Sequence, residues 1–544
     1  MKRIILSLTT ILLSVALYAQ SEGDAMNLSR NDLTGTARGM GMAGAFGALG
    51  GDITGIAINP AGIGVYRSSE IAGTINLESV GSKTNTTDNK FTFSFDNIGY
   101  IGYVPTGEDG ISRFNFGFTY NRLKNFNRKY RTSGVGLGGS LTDYMAWDIG
   151  ETPEGNIGMD DIDDAFPFKD GYSWLGVLGY NGYLINPPKS GMNSDPKYYT
   201  SILESGETID NNLLVSEEGS IASYDFTFGA NVAELLSLGV AFSITDIDYK
   251  MTSAYFENFS EHGGDFRLDN WINTTGTGFG LKLGAILKPI NELRLGVAYH
   301  SPTWYSVSDT YSAGLSHWNL YNEGGDTPAS NLTEGYFRPI RYTPERLTTQ
   351  NHYSEYRLNT PYAWVFSIAG VIDNWAVLSL DYEIKDYKSM NFAAPNNSNS
   401  FDVYDIDNEN IDLHYRAAST VRAGFEFKVT PQVALRGGFS WAQSPLATEF
   451  KDNVGNVDKM ADVFTAGSIA HHILPGDTYH YTFGFGYRFT PQFYLDVASV
   501  VKTQTDDLYA FPHLADNRGV IIESKPIELK SKVIKGLVTL GYKF

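Results

Sequence analysis

The chain has 544 residues, no cysteine and a formal net charge of −20. Disulfides and thiolate metal sites are therefore excluded, and a nucleic-acid partner, which demands clustered Lys and Arg, is argued against. Aromatic residues make up 14%, with 34 Tyr and 32 Phe, rings that favour a boundary between water and lipid.

The N-terminus reads MKRIILSLTTILLSVALYAQ. Lys2 and Arg3 followed by the apolar run 4–17 and Leu17-Tyr18-Ala19 predict a signal peptide over 1–19, cleaved before Gln20. No later apolar run approaches the ~18 residues of a membrane-spanning helix. Next comes GMGMAGAFGALGG, in which Gly39, Gly41 and Gly44 fit G-x-G-x-x-G. A dinucleotide turn needs a buried strand before the glycines and an acid about 20 residues after them. Polar NLSRNDLTGTAR precedes them, and 53–69 contains no Asp or Glu, so no phosphate site is expected.

From residue 70 onward, period-2 alternation recurs. In YHYTFGFGYRF (479–489) Tyr479, Tyr481, Phe483, Phe485, Tyr487 and Phe489 share one face, opposite His480, Thr482 and Arg488. About fourteen such segments follow: 70–78, 91–104, 111–124, 222–234, 237–250, 271–288, 291–301, 355–371, 375–387, 412–429, 432–442, 478–489, 492–503 and 532–544. Their connections alternate between short turns (VPTGEDG, AELLS, KPIN, IDN, TPQ, TPQ) and long loops. Segregated loop length predicts an all-β fold, a transmembrane antiparallel barrel with periplasmic turns and long extracellular loops, ending on an aromatic, Phe544. A Gram-negative outer membrane is the expected location. Barrel assembly machinery, outer-membrane lipid and lipopolysaccharide are the expected surroundings.

The Gly/Ala-rich N-terminal segment, Asp52, then Asn59-Pro60-Ala61 just before the first strand, the unit NIGYIGYVPTGEDGISRFNFGFTYNRL (97–123) and the strand count together resemble the FadL family of outer-membrane transporters. That resemblance implies a hatch over 20–68 inside a barrel over 69–544, with long-chain fatty acids or other hydrophobic or amphiphilic small molecules passing by diffusion. It leaves an alternative open, because FadL-like barrels include type IX secretion shuttles that bind cargo proteins. Small residues suit a plug that runs close to wall backbone, and Pro60 bends the chain at Asn59.

With the aromatic face turned to lipid, Lys282, Arg294, Arg422 and Arg436 point into the lumen as candidate ligand-binding cations, beside Arg113, Lys535 and the acids Asp96, Asp381, Glu383, Glu426 and Asp496. In 91–103 the outward register reads Phe91, Phe93, Phe95, Asn97, Gly99, Ile101, Tyr103. Asn97 and Gly99 thus notch the lipid face and are candidates for a lateral portal. The aromatic loop 165–188 is either a capture surface or a self-packed lid. Asp405-x-Asp407-x-Glu409 begins like a calcium loop, but Asn410 replaces its Gly and Arg416 its closing Glu. His471-His472 reads as a solvated pair. No metal or cofactor is expected, and no G-x-S-x-G or H-E-x-x-H suggests an enzyme.

Overall fold

The structure, a computed structural model, describes residues 21–106, 110–134, 139–150, 173–186, 199–203, 206–260, 264–318, 334–337, 353–373, 375–395, 404–456, 459–463, 467–515 and 521–544. The predicted signal peptide lies outside the described residues, as does much of the loop 165–188. Among the described residues fourteen strands cross the wall of a closed antiparallel barrel. They are β1 (Glu70–Lys83), β2 (Thr87–Pro105), β3 (Ile111–Asn125), β4 (Ile209–Val232), β5 (Leu236–Phe259) and β6 (Asp265–Ile290). β7 (Leu293–His300, continuing as Trp304–Trp318), β8 (Tyr353–Asn359, continuing as Ala363–Ile372) and β9 (Ala376–Asp386) follow. The circuit ends with β10 (Ala417–Lys428), β11 (Val433–Ala442), β12 (Thr478–Arg488), β13 (Phe493–Tyr509) and β14 (Ile527–Lys543). β14 pairs with β1 from Lys543↔Glu70 to Lys530↔Lys83, which leaves no open edge.

Strands β4 to β7 extend well beyond their expected ends, and the reason is visible in β5. Leu238, Phe242 and Ile244 are exposed on the outer face, opposite buried Ser237, Ser243 and Thr245. Further along the same strand, Asp248 and Lys250 face out while Ile247, Tyr249 and Met251 are buried. The apolar side changes from outside to inside without a change of register, because the outer surface passes from lipid to water. The interior there is filled by loops. Helices Leu141–Gly150 and Trp174–Asn181 bring Met145, Trp174, Leu175 and Leu178 into one core with Phe266, Leu268, Val307 and Leu315. Part of the aromatic loop, 173–186, is therefore buried packing rather than exposed surface.

Two prolines interrupt the ladder, and the first marks where the expected strand 291–301 ends short of its continuation. Pro302 and Pro361 lack the ladder donor, so β7 and β8 break at 301–303 and 360–362, then resume. Thr303 and Thr360 bridge the break: Thr303 N donates to Thr360 Oγ1 at 2.8 Å and Thr360 N to Thr303 O at 3.1 Å.

The outward register predicted for 91–103 fails after residue 95. Thr74 pairs with Asn97 but Ile75 pairs with Phe95, so Asp96 is an extra residue, a β-bulge. One inserted residue moves every later side chain to the opposite face. Ile98 and Tyr100 are exposed to lipid, whereas Asn97 is 1% exposed and inward. Gly99 also faces inward, against Ile53 and Thr119. The notch expected at Asn97 and Gly99 is absent from the lipid face, and neither residue has the outward position of a portal.

Candidate functional site

Residues 21–66 run along the inner wall as three short helices, α1 (Glu22–Ser29), α2 (Ala37–Gly41) and α3 (Ile53–Ile58), then a 3-10 turn, Pro60–Val65. The glycine stretch does bind an anion, but a protein one. The amides of Phe46 and Gly47 both donate to Asp381 Oδ2 of β9 at 2.9 Å. Glycines of the wall make room for this chain. Gly229, Gly239 and Gly284 pair directly across β4, β5 and β6. A Cβ on Gly239 would overlap the Pro60 carbonyl, and one on Gly284 would overlap Asn59. A Cβ on Gly296 would sit 2.6 Å from Gly47 O, and one on Gly438 2.5 Å from the carbonyl carbon of Met42.

Asn59 is buried with extended backbone and caps the 3-10 turn, its Oδ1 accepting from Ala61 N at 3.1 Å. Its Nδ2 donates to Gly47 O at 2.8 Å, and reaches Ala285 O of β6 at 3.3 Å and Val297 O of β7 at 3.4 Å. Pro60 opens the turn where no donor is needed. Ala61 is fully buried beside the β5 and β6 glycines.

The four cations singled out from sequence hold the segment or wall carboxylates rather than an open site. Lys282 donates to Ala57 O at 3.3 Å and lies 3.7 Å from Asp225. Arg294 donates to Leu49 O at 2.5 Å, leaving its Nε without a partner among the described residues. Arg422 pairs with Glu383. Arg436 bridges Glu426 at 2.7 Å and Asp496 at 2.6 Å, and Glu426 also receives Arg38 of α2 at 2.8 Å. Each is thus engaged by protein groups.

A different set lines a cavity of about 290 Å³ between α1 and the wall, close to the lower end of small-molecule pockets at roughly 300 Å³. One side is apolar: Val80, Tyr249, Met251, Ile272, Ile469 and Val533. The other carries ammonium groups from β3, β13 and β14. Lys124 donates to Asn27 Oδ1 at 2.8 Å, and Lys502 to Asp32 Oδ1 at 2.7 Å. Lys535 is 3% exposed and makes no hydrogen bond or ion pair with a described residue, though Glu78, Asp32 and Asp96 supply opposite charge around it. His471 and His472 also line this cavity; they are half-buried rather than solvated, and His472 stacks on Tyr509 at 4.9 Å.

Above the cavity, α1 is clamped to an extracellular helix, Asp405–His414, so the calcium-like sequence is helical here. His414 Nδ1 meets the Glu22 carboxylate oxygens at 2.8 and 2.9 Å, and Nε2 meets Met460 O at 2.7 Å. Met460 O can only accept, so Nε2 carries a proton, and the protonated ring can also donate Nδ1–H to the Glu22 carboxylate. Burial depresses the imidazole, but the Glu22 hydrogen bond and charge raise it above its ordinary value overall. Burial raises Glu22, outweighing His414. The other facing acids are also raised: Asp24 by burial, Asp407 to about 7 by burial beside Glu22 and Asp24, and Asp462 to about 6 by burial. Every one of these groups binds its proton more tightly folded than unfolded. The clamp is therefore strongest in mild acid and weakens as pH rises from about 6 through 7 and past the raised His414 value. Hydrogen exchange of 22–29, corrected for intrinsic rates, is expected to quicken between pH 6 and 8.5, and His414→Gln to lose most of that dependence. Equal pH dependence in both proteins would contradict the clamp.

A family model described as outer membrane protein transport protein (OMPP1/FadL/TodX) matches residues 227–509, from β4 to the end of β13. No curated protein matches the chain. Among solved structures, a Pseudomonas aeruginosa FadL homologue aligns at TM-score 0.51 and 13% identity, covering 94% of this chain and 99% of that one. The Ralstonia pickettii toluene transporter TbuX aligns at 0.47 and 14%, and the P. putida toluene transporter TodX at 0.46 and 11%, each over 94% of this chain and 99% of theirs. At such identities a structural likeness speaks for the fold alone, whereas the family match spans more than half of the sequence. With its closed wall and lipid-facing belt, the chain belongs to the OMPP1/FadL/TodX family of outer-membrane transport proteins of Gram-negative bacteria.

Proposed function

We propose that the protein carries long-chain fatty acids, or other hydrophobic compounds with an anionic end, by passive diffusion, with residues 20–68 acting as a hatch. The observation that carries this reading is the cavity beneath α1: an apolar side of Val80, Met251, Ile272 and Val533, faced by Lys535, which has no hydrogen-bond partner among the described residues. An ammonium buried without a hydrogen-bond partner is costly, and a carboxylate entering the cavity relieves that cost. Related solved structures named as toluene transporters agree with a hydrophobic cargo. The test is uptake of labelled long-chain fatty acid by cells producing Lys535→Met. A several-fold rise in the half-saturating concentration is expected, with unchanged uptake of an uncharged aromatic compound. Wild-type fatty-acid uptake by the variant would reject the assignment.

Gating adds a second expectation. Asn59→Ala removes the donor shared by Gly47 O, Ala285 O and Val297 O, and an unpaired buried polar group costs roughly 1–3 kcal/mol. That suffices to shift a hatch whose states differ by a few kcal/mol, while the ladder that builds the barrel is untouched. Uptake is expected to change at constant heat-modifiable mobility; unchanged uptake at equal protein level would show that Asn59 has no gating role.

A further inference from the structure

Behind the hatch corner, the outer face of the barrel carries an apolar groove of about 620 Å³. Its rims are Phe116, Phe228, Leu238 and Leu283, its floor Ala230, Val240 and the backbone of the paired glycines 229, 239 and 284. The hollow has a cause on the page. Glycines are needed inside, where Asn59–Ala61 press against the strands, so the wall here is one backbone thick. Outside, Ala230 and Val240 stand between large neighbours and leave the surface sunken.

The groove is continuous with the lipid-facing belt, since Phe114, Phe116, Phe226, Phe228, Leu238 and Leu283 are all exposed. It lies just inside the β4–β5 turn, which joins Val232 to Leu236, so it opens to the periplasmic leaflet. Its lining offers almost no polar atom, and a void beside apolar side chains forfeits their dispersion contacts. We propose that this groove binds one acyl chain of a periplasmic-leaflet phospholipid, which seals the thinned wall opposite Asn59-Pro60-Ala61. Such a chain exchanges more slowly than lipid around the rest of the belt, because it fills a concave apolar site instead of lying on a convex one. The glycine wall and its lipid then form one laminate: hatch turn, backbone, acyl chain.

The experiment uses the full-length protein in nanodiscs of phospholipid doped with a phospholipid bearing a diazirine on its acyl chain. After irradiation, labelled peptides are mapped by mass spectrometry. Label is expected to concentrate several-fold on 226–242 and 281–287 relative to 364–382, an equally apolar exposed face containing Trp364, Phe366, Leu378 and Leu380. The double variant Ala230→Leu/Val240→Phe fills the groove from outside and is expected to lose that excess while keeping heat-modifiable mobility. Even labelling of the wild-type barrel overturns the proposal whether or not the variant folds. So does loss of the excess on adding free long-chain fatty acid, which would identify the occupant as transported compound rather than bilayer lipid.

Discussion

Deleting residues 22–58 is expected to convert the protein into an open pore. The barrel closes through β1 and β14, and none of its ladder bonds involves that segment. The segment supplies much of what fills the lumen: Ala37, Met40, Met42, Phe46 and Ile53 are all buried against the wall. Without it, a route for water and small solutes is expected to open past the loops that fill the extracellular half. Planar-bilayer recording should show large stepwise conductance in the deletion protein and little in the wild type, and cells producing it should admit antibiotics normally excluded by size. A tight pore after the deletion would mean that the segment is only a leader.

Glu426→Ala should be the most damaging single substitution at the contact between the N-terminal segment and the wall. Glu426 is 3% exposed and holds two guanidinium groups at once, Arg38 on α2 and Arg436 on the wall. Removing it leaves Arg38 without a carboxylate and Arg436 with Asp496 alone. Breaking a buried ion pair by deleting one partner costs roughly 3–5 kcal/mol, because a desolvated charge remains. The barrel should persist, but α2 should detach and Arg38 should become a trypsin site in the purified protein. Identical digestion of variant and wild type would show that this network does not hold the segment.

The barrel was legible because lipid on one side and a wet lumen on the other impose strict alternation on each strand. Turn and loop lengths then separated the two ends. Three things were not legible, each for a physical reason. The extracellular halves of β4 to β8 invert their apolar face, so Leu213, Val215, Tyr249 and Met251 look wrong for a membrane strand although the register never changes. The bulge at Asp96 is a one-residue slip with no marker residue, and it moved Asn97 and Gly99 to the inside. The cavity cations come from strands far apart in sequence, Lys124 from β3 and Lys502 and Lys535 from β13 and β14, and only closure of the sheet brings them together. The ring of wall glycines carried a signal that could have been used. Gly229, Gly239, Gly284, Gly296, Gly424, Gly438 and Gly484 all occupy inward positions, where a lumen without a plug would have no reason to exclude side chains.

The most direct test of the central claim is to locate a ligand in the lumen. A long-chain fatty acid with a photoreactive terminal carbon should be added to the purified full-length protein, irradiated, and its attachment sites mapped. Label on peptides containing Tyr249 and Met251, Ile272, or Val533, reduced several-fold in Lys535→Met, is the predicted result. Label confined to the outer aromatic belt, with the same pattern in Lys535→Met, would contradict the assignment of the cavity as the binding site.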